Sequence, residues 1–291
     1  MSNYHTPALL KECIEFLNIK KGCWYIDATL GGGGHTKEIL LRGGKVVGVD
    51  ADIEAINFVC EHLKKYVGEG RLHLVNRNFS KIESIAREIC PKKPLGILFD
   101  LGTSSYQLKD DSRGFSFNSK ENLDMRMDKN LAVTAKDLIN GLPKRELALL
   151  FAKYGEETYA NKIAQVIVTA RKFKEIRTGE DLAEVVASIK GRKRVGETHP
   201  ATKVFQALRI AVNDELEILR ETLPRAFRVL APKGRMLVIS FHSLEDRIVK
   251  EFGKNAGDLR VITKKPITPS ALEVSQNIKA RGAKLRVFEK V

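Results

Sequence analysis

A run of glycine and acidic residues near the N-terminus has the residue types and spacing that best suit ligand chemistry. The stretch Asp27-Ala-Thr-Leu-Gly31-Gly32-Gly33-Gly34-His35-Thr36 follows a β-like run at residues 24–26 and precedes a helical pattern at residues 37–42. Glycines at such a turn let a ligand approach the backbone, because no Cβ atom stands in the way. Asp50 ends the next apolar run, 19 residues after Gly31, close to the spacing at which an acid binds ribose hydroxyls in nucleotide-binding folds.

The two common phosphate-binding motifs do not fit this stretch. Thr36 stands where the dinucleotide fingerprint requires its third glycine, and Gly34-His35-Thr36 lacks the lysine of the P-loop. An acid, a glycine loop and a second acid favour a ligand that carries a charged amino group and a ribose but no phosphate. S-adenosylmethionine fits that description, and the alternative interpretation is a flexible turn without a ligand.

Strand patterns recur along the chain and predict an α/β fold. They lie near residues 24, 46, 72 and 96 and, after a long interval, at residues 235–240, 260–263 and 284–288. Helical patterns separate most of these strands, and Ser80 is a possible N-cap for a helix over residues 81–89. The alternation favours a seven-stranded, doubly wound sheet. Only a short proline-rich connection joins the last two strands, so an antiparallel edge is expected.

The sheet pattern is interrupted between the fourth and fifth strands. Residues 108–133 are polar and rich in turns, and a loop of that length is usually functional. Helical patterns follow near residues 143–153, 157–173 and 179–190, and Thr178 with Asp181 three residues later resembles a capping box. We therefore predict a sheet domain formed by residues 1–107 and 214–291, and an inserted all-helical domain at residues 108–213.

Polar residues end several of the predicted strands and should line one cleft. Asp27, Asp50, Asp100 and Ser240 occupy such positions, and ligands of doubly wound sheets bind beyond the carboxyl ends of the strands. Asp100 begins the run Asp100-Leu-Gly-Thr-Ser104-Ser105, in which the acid could bind an amine. An ordinary turn is the alternative interpretation of its two serines.

Charge and cysteine content bound the environment and the partners. The net charge is +14, and residues 247–291 carry 11 lysine and arginine residues against 4 acidic ones. Such an excess predicts a polyanionic partner, although a basic soluble surface is the alternative. Four widely spaced cysteines predict reduced thiols in the cytoplasm and neither a disulfide nor a metal site. No signal peptide or membrane span is expected.

Several stretches, taken together and in order, resemble the bacterial small-subunit ribosomal RNA cytosine-N4 methyltransferases. The resemblance runs from residue 5 to the C-terminus. It rests on His5-Thr-Pro7, Asp27 to His35, Asp100 to Ser105, Arg113-Gly-Phe-Ser-Phe117, Leu123-Asp-Met-Arg-Met-Asp128, Tyr154-Gly-Glu-Glu157, His199-Pro-Ala-Thr202, Phe205-Gln-Ala-Leu-Arg209 and Ser240-Phe-His-Ser-Leu-Glu-Asp-Arg247.

The resemblance implies a class I methyltransferase fold that uses S-adenosylmethionine to methylate the exocyclic N4 of a cytidine in the decoding region of the small-subunit RNA. The RNA alone or the assembled small subunit is the expected partner, and a homodimer is an open alternative. By position in the family pattern, the cofactor contacts are expected at Gly33, Gly34, His35, Asp50, Phe79, Asp100 and Gln107.

The reaction needs in-line positioning of N4 and would benefit from an acceptor for its hydrogens. Many amino-methyltransferases have a [DN]-P-P-[YF] motif after the fourth strand, and this sequence lacks it. The candidate acceptors are Asp124, Ser104 and Asp100, or a backbone carbonyl near Gly102, and Asp124 is the leading hypothesis. Its alternative role is to pair with Arg126 or Arg113.

Other side chains are expected to bind the RNA. Phe115, Phe117 and Phe241 could stack on an unstacked base or belong to the core, and residues 190–194 should contact phosphates. Two competing functions stay open at this point. One is a DNA amino-methyltransferase, and the other is a ribosome-assembly RNA-binding protein with a cofactor pocket but little turnover.

Overall fold

A computed structural model describes residues 7–103, 110–191, 198–255 and 257–291. The chain divides into two compact units, one formed by residues 1–104 and 216–291 and the other by residues 105–215. No helix among the described residues is both long and apolar enough to cross a membrane.

Seven strands form one sheet in the described part of the first unit. Their bounds are Trp24–Asp27 (β1), Lys45–Asp50 (β2), Leu72–Asn76 (β3), Gly96–Asp100 (β4), Arg235–Ser240 (β5), Leu259–Val261 (β6) and Lys284–Lys290 (β7). The spatial order is β3-β2-β1-β4-β5-β7-β6, with β1 to β5 parallel and β7 antiparallel to both of its neighbours. The predicted α/β sheet is confirmed, and the antiparallel β7 lies inside the sheet with β6 at the edge.

Helices connect most of the strands of this unit. They span Leu10–Leu17, Gly34–Leu41, Ile53–His62, Lys64–Gly68, Ile82–Ile89, Glu215–Val229, Ser243–Asn255 and Ala271–Gln276, with 3-10 turns at Phe79–Lys81 and Ile278–Gly282. The prediction that Ser80 caps the helix after β3 is wrong. The side chain of Asn78 accepts a hydrogen bond from the Ser80 backbone N–H and so starts the 3-10 turn that leads into that helix.

Apolar side chains on both faces of the sheet form two cores. In β4, Ile97 and Phe99 face one core and Leu98 faces the other. Neighbouring β5 repeats the alternation, because Met236 and Val238 join the first core and Leu237 the second. Burial on both faces explains why these strands read as continuous apolar runs in the sequence.

Five helices make up most of the second unit, described here between residues 110 and 215. They span Ala135–Gly141, Lys144–Gly155, Ala160–Ala170, Gly179–Lys190 and Thr202–Asn213. The predicted capping box of Thr178 and Asp181 is confirmed. The helix Ala135–Gly141 was not predicted, although Thr134 and Asp137 form a second capping box at its start.

Buried hydrogen bonds hold the long polar loop that precedes these helices. The Arg113 side chain is only 2% exposed and donates to the carbonyl oxygens of Arg126 and Met127 at 3.0 Å each. Asn213 donates to the Met125 carbonyl at 2.8 Å and accepts from the Met127 N–H at 2.7 Å. These bonds satisfy backbone groups that a helix or sheet would otherwise satisfy, so the loop keeps one conformation.

We expect Gly155→Ala to destabilise the protein, because a Cβ at Gly155 would lie 2.4 Å from the Lys203 carbonyl oxygen, where the helix Lys144–Gly155 meets the helix Thr202–Asn213. The backbone cannot move aside as a side chain can, so we expect the free energy of unfolding to fall by about 1–3 kcal/mol. Gly141→Ala is the matched control. Nothing lies within 4 Å of the Cβ position of Gly141, and alanine there should stabilise the helix Ala135–Gly141 by about 0.5–1 kcal/mol. Thermal melts of both variants test this, and equal melting temperatures would contradict it.

Candidate functional site

Four polar residues that end parallel strands lie at the same edge of the sheet. Asp27, Asp50 and Asp100 end the adjacent strands β1, β2 and β4, and Ser240 ends β5. Ser240 is 1% exposed, and its hydroxyl donates to the Lys284 carbonyl at 3.4 Å. Its hydroxyl therefore joins β5 to β7, and the three carboxylates are the strand-end groups suited to a ligand.

Two backbone N–H groups fix the Asp50 carboxylate. Gly31 N–H donates to Oδ2 at 2.8 Å, and Asp52 N–H donates to Oδ1 at 2.9 Å. Gly31 has a φ of 48°, a conformation that glycine adopts without strain and that directs its N–H at the acid. Each carboxylate oxygen can accept a further hydrogen bond, so Asp50 can still bind two ribose hydroxyls.

Gly33 and Gly34 have a packing role that the sequence did not reveal. A Cβ on Gly33 would lie 2.9 Å from Val59 Cγ2, and one on Gly34 would lie 2.8 Å from Pro7 Cγ. Gly33 also has a φ of 72°, and the helix Gly34–Leu41 begins directly after it. Glycine is needed here for close packing, and cofactor contact at these positions stays a prediction.

Asp27 and Asp100 are carboxylates with an unused oxygen. Asp27 is 1% exposed, and burial raises its pKa to about 6, although its Oδ2 accepts from the Thr36 hydroxyl at 2.7 Å. Burial, together with the charges of Asp27 and Glu245, raises the pKa of Asp100 well above its usual value. Oδ1 of each has no hydrogen-bond partner among the described residues. Such orphaned acceptors fit the ammonium group of a bound amino acid moiety.

Thr36 and Thr29 are site residues that the sequence analysis missed. Thr36 was noted only for breaking the dinucleotide fingerprint, yet it donates to Asp27. Thr29 accepts from the Asp100 N–H at 2.6 Å and so joins the ends of β1 and β4. A hydroxyl nine residues after a strand-end acid is the signal that could have identified Thr36.

His35 is 4% exposed and lies between the N-terminal segment and Asp100. Its Nε2 is 3.2 Å from the Ala8 carbonyl oxygen, and its Nδ1 is 3.7 Å from Asp100 Oδ2. A carbonyl oxygen only accepts, so Nε2 carries a proton. The side chain therefore positions the glycine loop against Asp100.

Phe79 follows β3 and is only partly buried. Its ring packs edge-on against Phe99, with ring centroids 5.6 Å apart and an interplanar angle of 84°. The contact with an adenine that the family pattern implies for Phe79 stays a prediction. Ser104 and Gln107, the remaining candidates near the end of β4, lie outside the described residues.

Asp124 lies in the helical unit and forms an ion pair with Arg126. Oδ1 accepts from Arg126 Nε at 2.7 Å and from its backbone N–H at 3.0 Å, and Oδ2 accepts from Nη2 at 2.9 Å. Burial opposes ionisation of Asp124, but the hydrogen bonds and charge of Arg126 outweigh it and lower the pKa. The alternative pairing role is thus present in the structure, and a catalytic role stays a prediction.

The expected RNA-binding side chains differ in their surroundings. Phe115 is 6% exposed and belongs to the core of the helical unit. Phe117 stacks on His199, with centroids 4.3 Å apart, and Phe241 is partly buried in the sheet unit. Lys190 donates to buried Glu157 at 2.7 Å, so its charge is already neutralised. Residues 192–194 lie outside the described part of the chain.

Within the described ranges, no group of three or more His, Cys, Asp or Glu side chains could hold a metal ion. The chemistry of the site suits an organic ligand with an amine and a ribose. The groups that fit such a ligand are the strand-end carboxylates, the glycine loop and the aromatic ring of Phe79.

Comparisons with known proteins identify relatives over the whole chain. The sequence profile of the MraW methylase family matches residues 2–291. A protein named ribosomal RNA small subunit methyltransferase H from Halothermothrix orenii is 44% identical over 309 residues, which cover 99% of this chain and 98% of the relative. A protein of the same name from Dictyoglomus thermophilum is 45% identical over 295 residues, with 100% and 98% covered.

These matches confirm the predicted family and a methyltransferase as the class of enzyme. They also agree with the three-dimensional arrangement, in which a glycine loop and strand-end acids lie at one edge of a doubly wound sheet. This chain belongs to the MraW methylase family.

Proposed function

We propose that this chain transfers a methyl group from S-adenosylmethionine to the exocyclic N4 of a cytidine in the decoding region of 16S ribosomal RNA. The observation that carries the proposal is the identity of 44–45%, over essentially the full length, to proteins named ribosomal RNA small subunit methyltransferase H. The geometry of the sheet edge supports the cofactor, because it offers acceptors both for a ribose and for an amine.

The cofactor is assigned to the described groups as follows. Asp50, oriented by Gly31 and Asp52, binds the ribose hydroxyls, and Phe79 contacts the adenine. The ammonium group lies against the unused oxygens of Asp27 and Asp100. Gly33, Gly34, His35 and Gln107 complete the cofactor contacts that the family pattern implies.

S-adenosylmethionine supplies a methyl group that is already activated on a sulfonium. The protein must therefore hold cytidine N4 in line with that group, and positioning of this kind can contribute several kcal/mol, of the order of 7–11 at most. N4 loses a proton as the new bond forms. We propose Asp124 as its acceptor, with Ser104 and Asp100 as the other candidates. Asp124 is ionised at neutral pH because Arg126 lowers its pKa.

The helical unit is proposed to recognise the RNA. Residues 108–213 carry 20 lysine and arginine residues against 14 acidic ones, and this excess favours a phosphate backbone. We propose the small-subunit RNA, free or in the assembled small subunit, as the substrate. We also propose a cytoplasmic location, where that RNA occurs, and no membrane partner. A homodimer is an additional proposal that the oligomeric state in solution would test.

We expect the purified protein to transfer labelled methyl groups to small ribosomal subunits from cells that lack this enzyme. Nucleoside analysis should find N4-methylcytidine at one position. Label on another base would leave only the methyltransferase class intact. Cofactor binding without any label would favour the assembly factor with little turnover instead.

Affinity for S-adenosylmethionine should fall as the pH decreases from 7 to 5. Burial raises the pKa values of Asp27 and Asp50 to about 6, so both carboxyl groups bind protons below that pH. An ammonium group and ribose hydroxyls bind the ionised forms, and ligand binding must then release the protons. The dissociation constant should rise by up to about tenfold per pH unit for each carboxyl group below pH 6.

Titration calorimetry of wild type, Asp50→Asn and Glu69→Gln measures this pH dependence. Asp50→Asn should bind about 10- to 100-fold more weakly at pH 7.5 and show a shallower pH dependence. Glu69 is an exposed acid paired with Arg71, and its variant should follow wild type. An affinity of wild type that is constant from pH 5 to 7 would contradict the assignment.

If Asp124 accepts the N4 proton, Asp124→Asn should lower kcat by about 100-fold or more while the cofactor affinity stays unchanged. Arg126→Gln is the control, since it breaks the same ion pair but keeps the carboxylate. Steady-state methylation of small subunits gives both values. Near-normal turnover by Asp124→Asn would rule the role out, and equal losses in both variants would show that Asp124 acts only by holding the loop.

A further inference from the structure

A histidine caps the helix that follows β5. Glu245 Oε2 accepts from the backbone N–H groups of Phe241 and His242 at 2.7 and 3.2 Å, and His242 Nδ1 accepts from the Glu245 N–H at 3.4 Å. This is the reciprocal pattern of a capping box at the start of the helix Ser243–Asn255. Serine, threonine, asparagine or aspartate usually occupies the first position of such a box. Histidine differs from them because its ring has a second nitrogen that the cap does not use.

The cap determines which nitrogen of His242 carries the proton. Nδ1 accepts a hydrogen bond, so the ring proton lies on Nε2. Nε2 is 3.1 Å from Glu245 Oε1, but its N–H does not point at that oxygen, and it has no hydrogen-bond partner within the described residues. The side chain is only 10% exposed. A buried donor without an acceptor costs free energy, which a ligand that supplies the acceptor would recover.

His242 lies on the far side of Asp100 from the proposed ribose site. Asp50 and the glycine loop follow β2 and β1, whereas β5 pairs with β4 on its other side. Phe241 also lies beside the loop after β4, because a Cβ on Gly102 would be 3.5 Å from Phe241 Cδ2. The donor is therefore at the edge of the sheet where a methyl acceptor can approach beyond Asp100.

The charges around His242 favour a neutral ligand atom. Asp100 and Glu245 are close enough for the charge of Glu245 to raise the pKa of Asp100, and Asp27 adds to the same effect. An anionic carboxylate or phosphate would be repelled by these groups. The ring of cytosine, in contrast, presents neutral acceptors at N3 and O2 beside its N4 amino group.

We propose that His242 Nε2–H donates a hydrogen bond to N3 of the target cytosine and so orients N4 for methylation. This inference rests on the proposed function. A donor at this position also discriminates against uracil, whose N3 carries a hydrogen and cannot accept. His242 is thus a specificity-determining residue, and Glu245 positions it.

Two substitutions separate the donor from the cap. His242→Asn keeps an acceptor at the position of Nδ1 and remains a good N-cap, but it lacks a donor at the position of Nε2. His242→Gln places an amide N–H near the position of Nε2 and loses the short-range cap. Both variants are assayed by methylation of small subunits from cells lacking the enzyme, by titration calorimetry with S-adenosylmethionine and by thermal melting.

We expect His242→Asn to lower kcat/KM for the small subunits by about 10- to 100-fold, with unchanged cofactor affinity and melting temperature. His242→Gln should recover part of the lost kcat/KM despite a lower melting temperature. Wild-type kcat/KM in the asparagine variant would overturn the proposal, as would a matching loss of cofactor affinity or a melting temperature below that of the glutamine variant. Absence of methylation by the wild-type enzyme would instead overturn the proposed function itself.

Discussion

Burial of carboxylates at the carboxyl edge of the sheet is the constraint on which the site depends. Asp27 and Asp100 form no ion pair with lysine or arginine among the described residues, and one oxygen of each lacks a hydrogen bond. An ionised carboxylate in such a place costs several kcal/mol, so the groups bind protons more tightly than usual. A cationic ligand reverses this balance, because it stabilises the ionised form. The buried acids therefore favour the ammonium group that they are proposed to bind.

The fold tolerates this cost because the surrounding backbone is fixed independently of the ligand. The parallel strands β1, β2 and β4 are buried on both faces, so their ends cannot shift to expose the acids to water. The Thr36 hydroxyl donates to Asp27 Oδ2, and the Thr29 hydroxyl accepts from the Asp100 backbone N–H. Gly31 and Asp52 fix Asp50 in the same manner. Rigid strands with side-chain supports give a preorganised site.

The sequence was sufficient to predict the features that depend on local pattern. The strands, their acidic ends and the spacing of Gly31 and Asp50 follow from periodicity and from the geometry of doubly wound sheets. Features that depend on distant contacts could not be predicted. Three contacts join residues that are far apart in the chain. Gly34 packs against Pro7, Ser240 donates to the Lys284 carbonyl, and Asn213 bonds to the backbone of Met125 and Met127.

The same limit explains why the predictions for some individual side chains were wrong or stay open. Ser80 has the composition of an N-cap, but Asn78 two residues earlier reaches the free N–H first. Lys190 lies in a basic run, yet its ammonium group is paired with Glu157, which is 33 residues away in sequence. A one-dimensional pattern gives the type of a side chain, and only the fold gives its partner.

The candidate proton acceptors Asp124 and Asp100 differ in how easily their carboxyl groups ionise. Methyl transfer to N4 gives a cation that is strongly acidic until it loses a proton, so the acceptor needs to be ionised and within reach rather than strongly basic. Asp124 meets the first requirement, since Arg126 keeps its pKa low. Within the described ranges, its Oδ2 accepts a hydrogen bond from Arg126 Nη2 and keeps a lone pair that could accept from N4–H. Burial, together with the charges of Asp27 and Glu245, raises the pKa of Asp100 and so disfavours its ionised form until a cation approaches. An ammonium group that stabilises the ionised form of Asp100 also occupies it, which is the reason for proposing Asp124 as the acceptor.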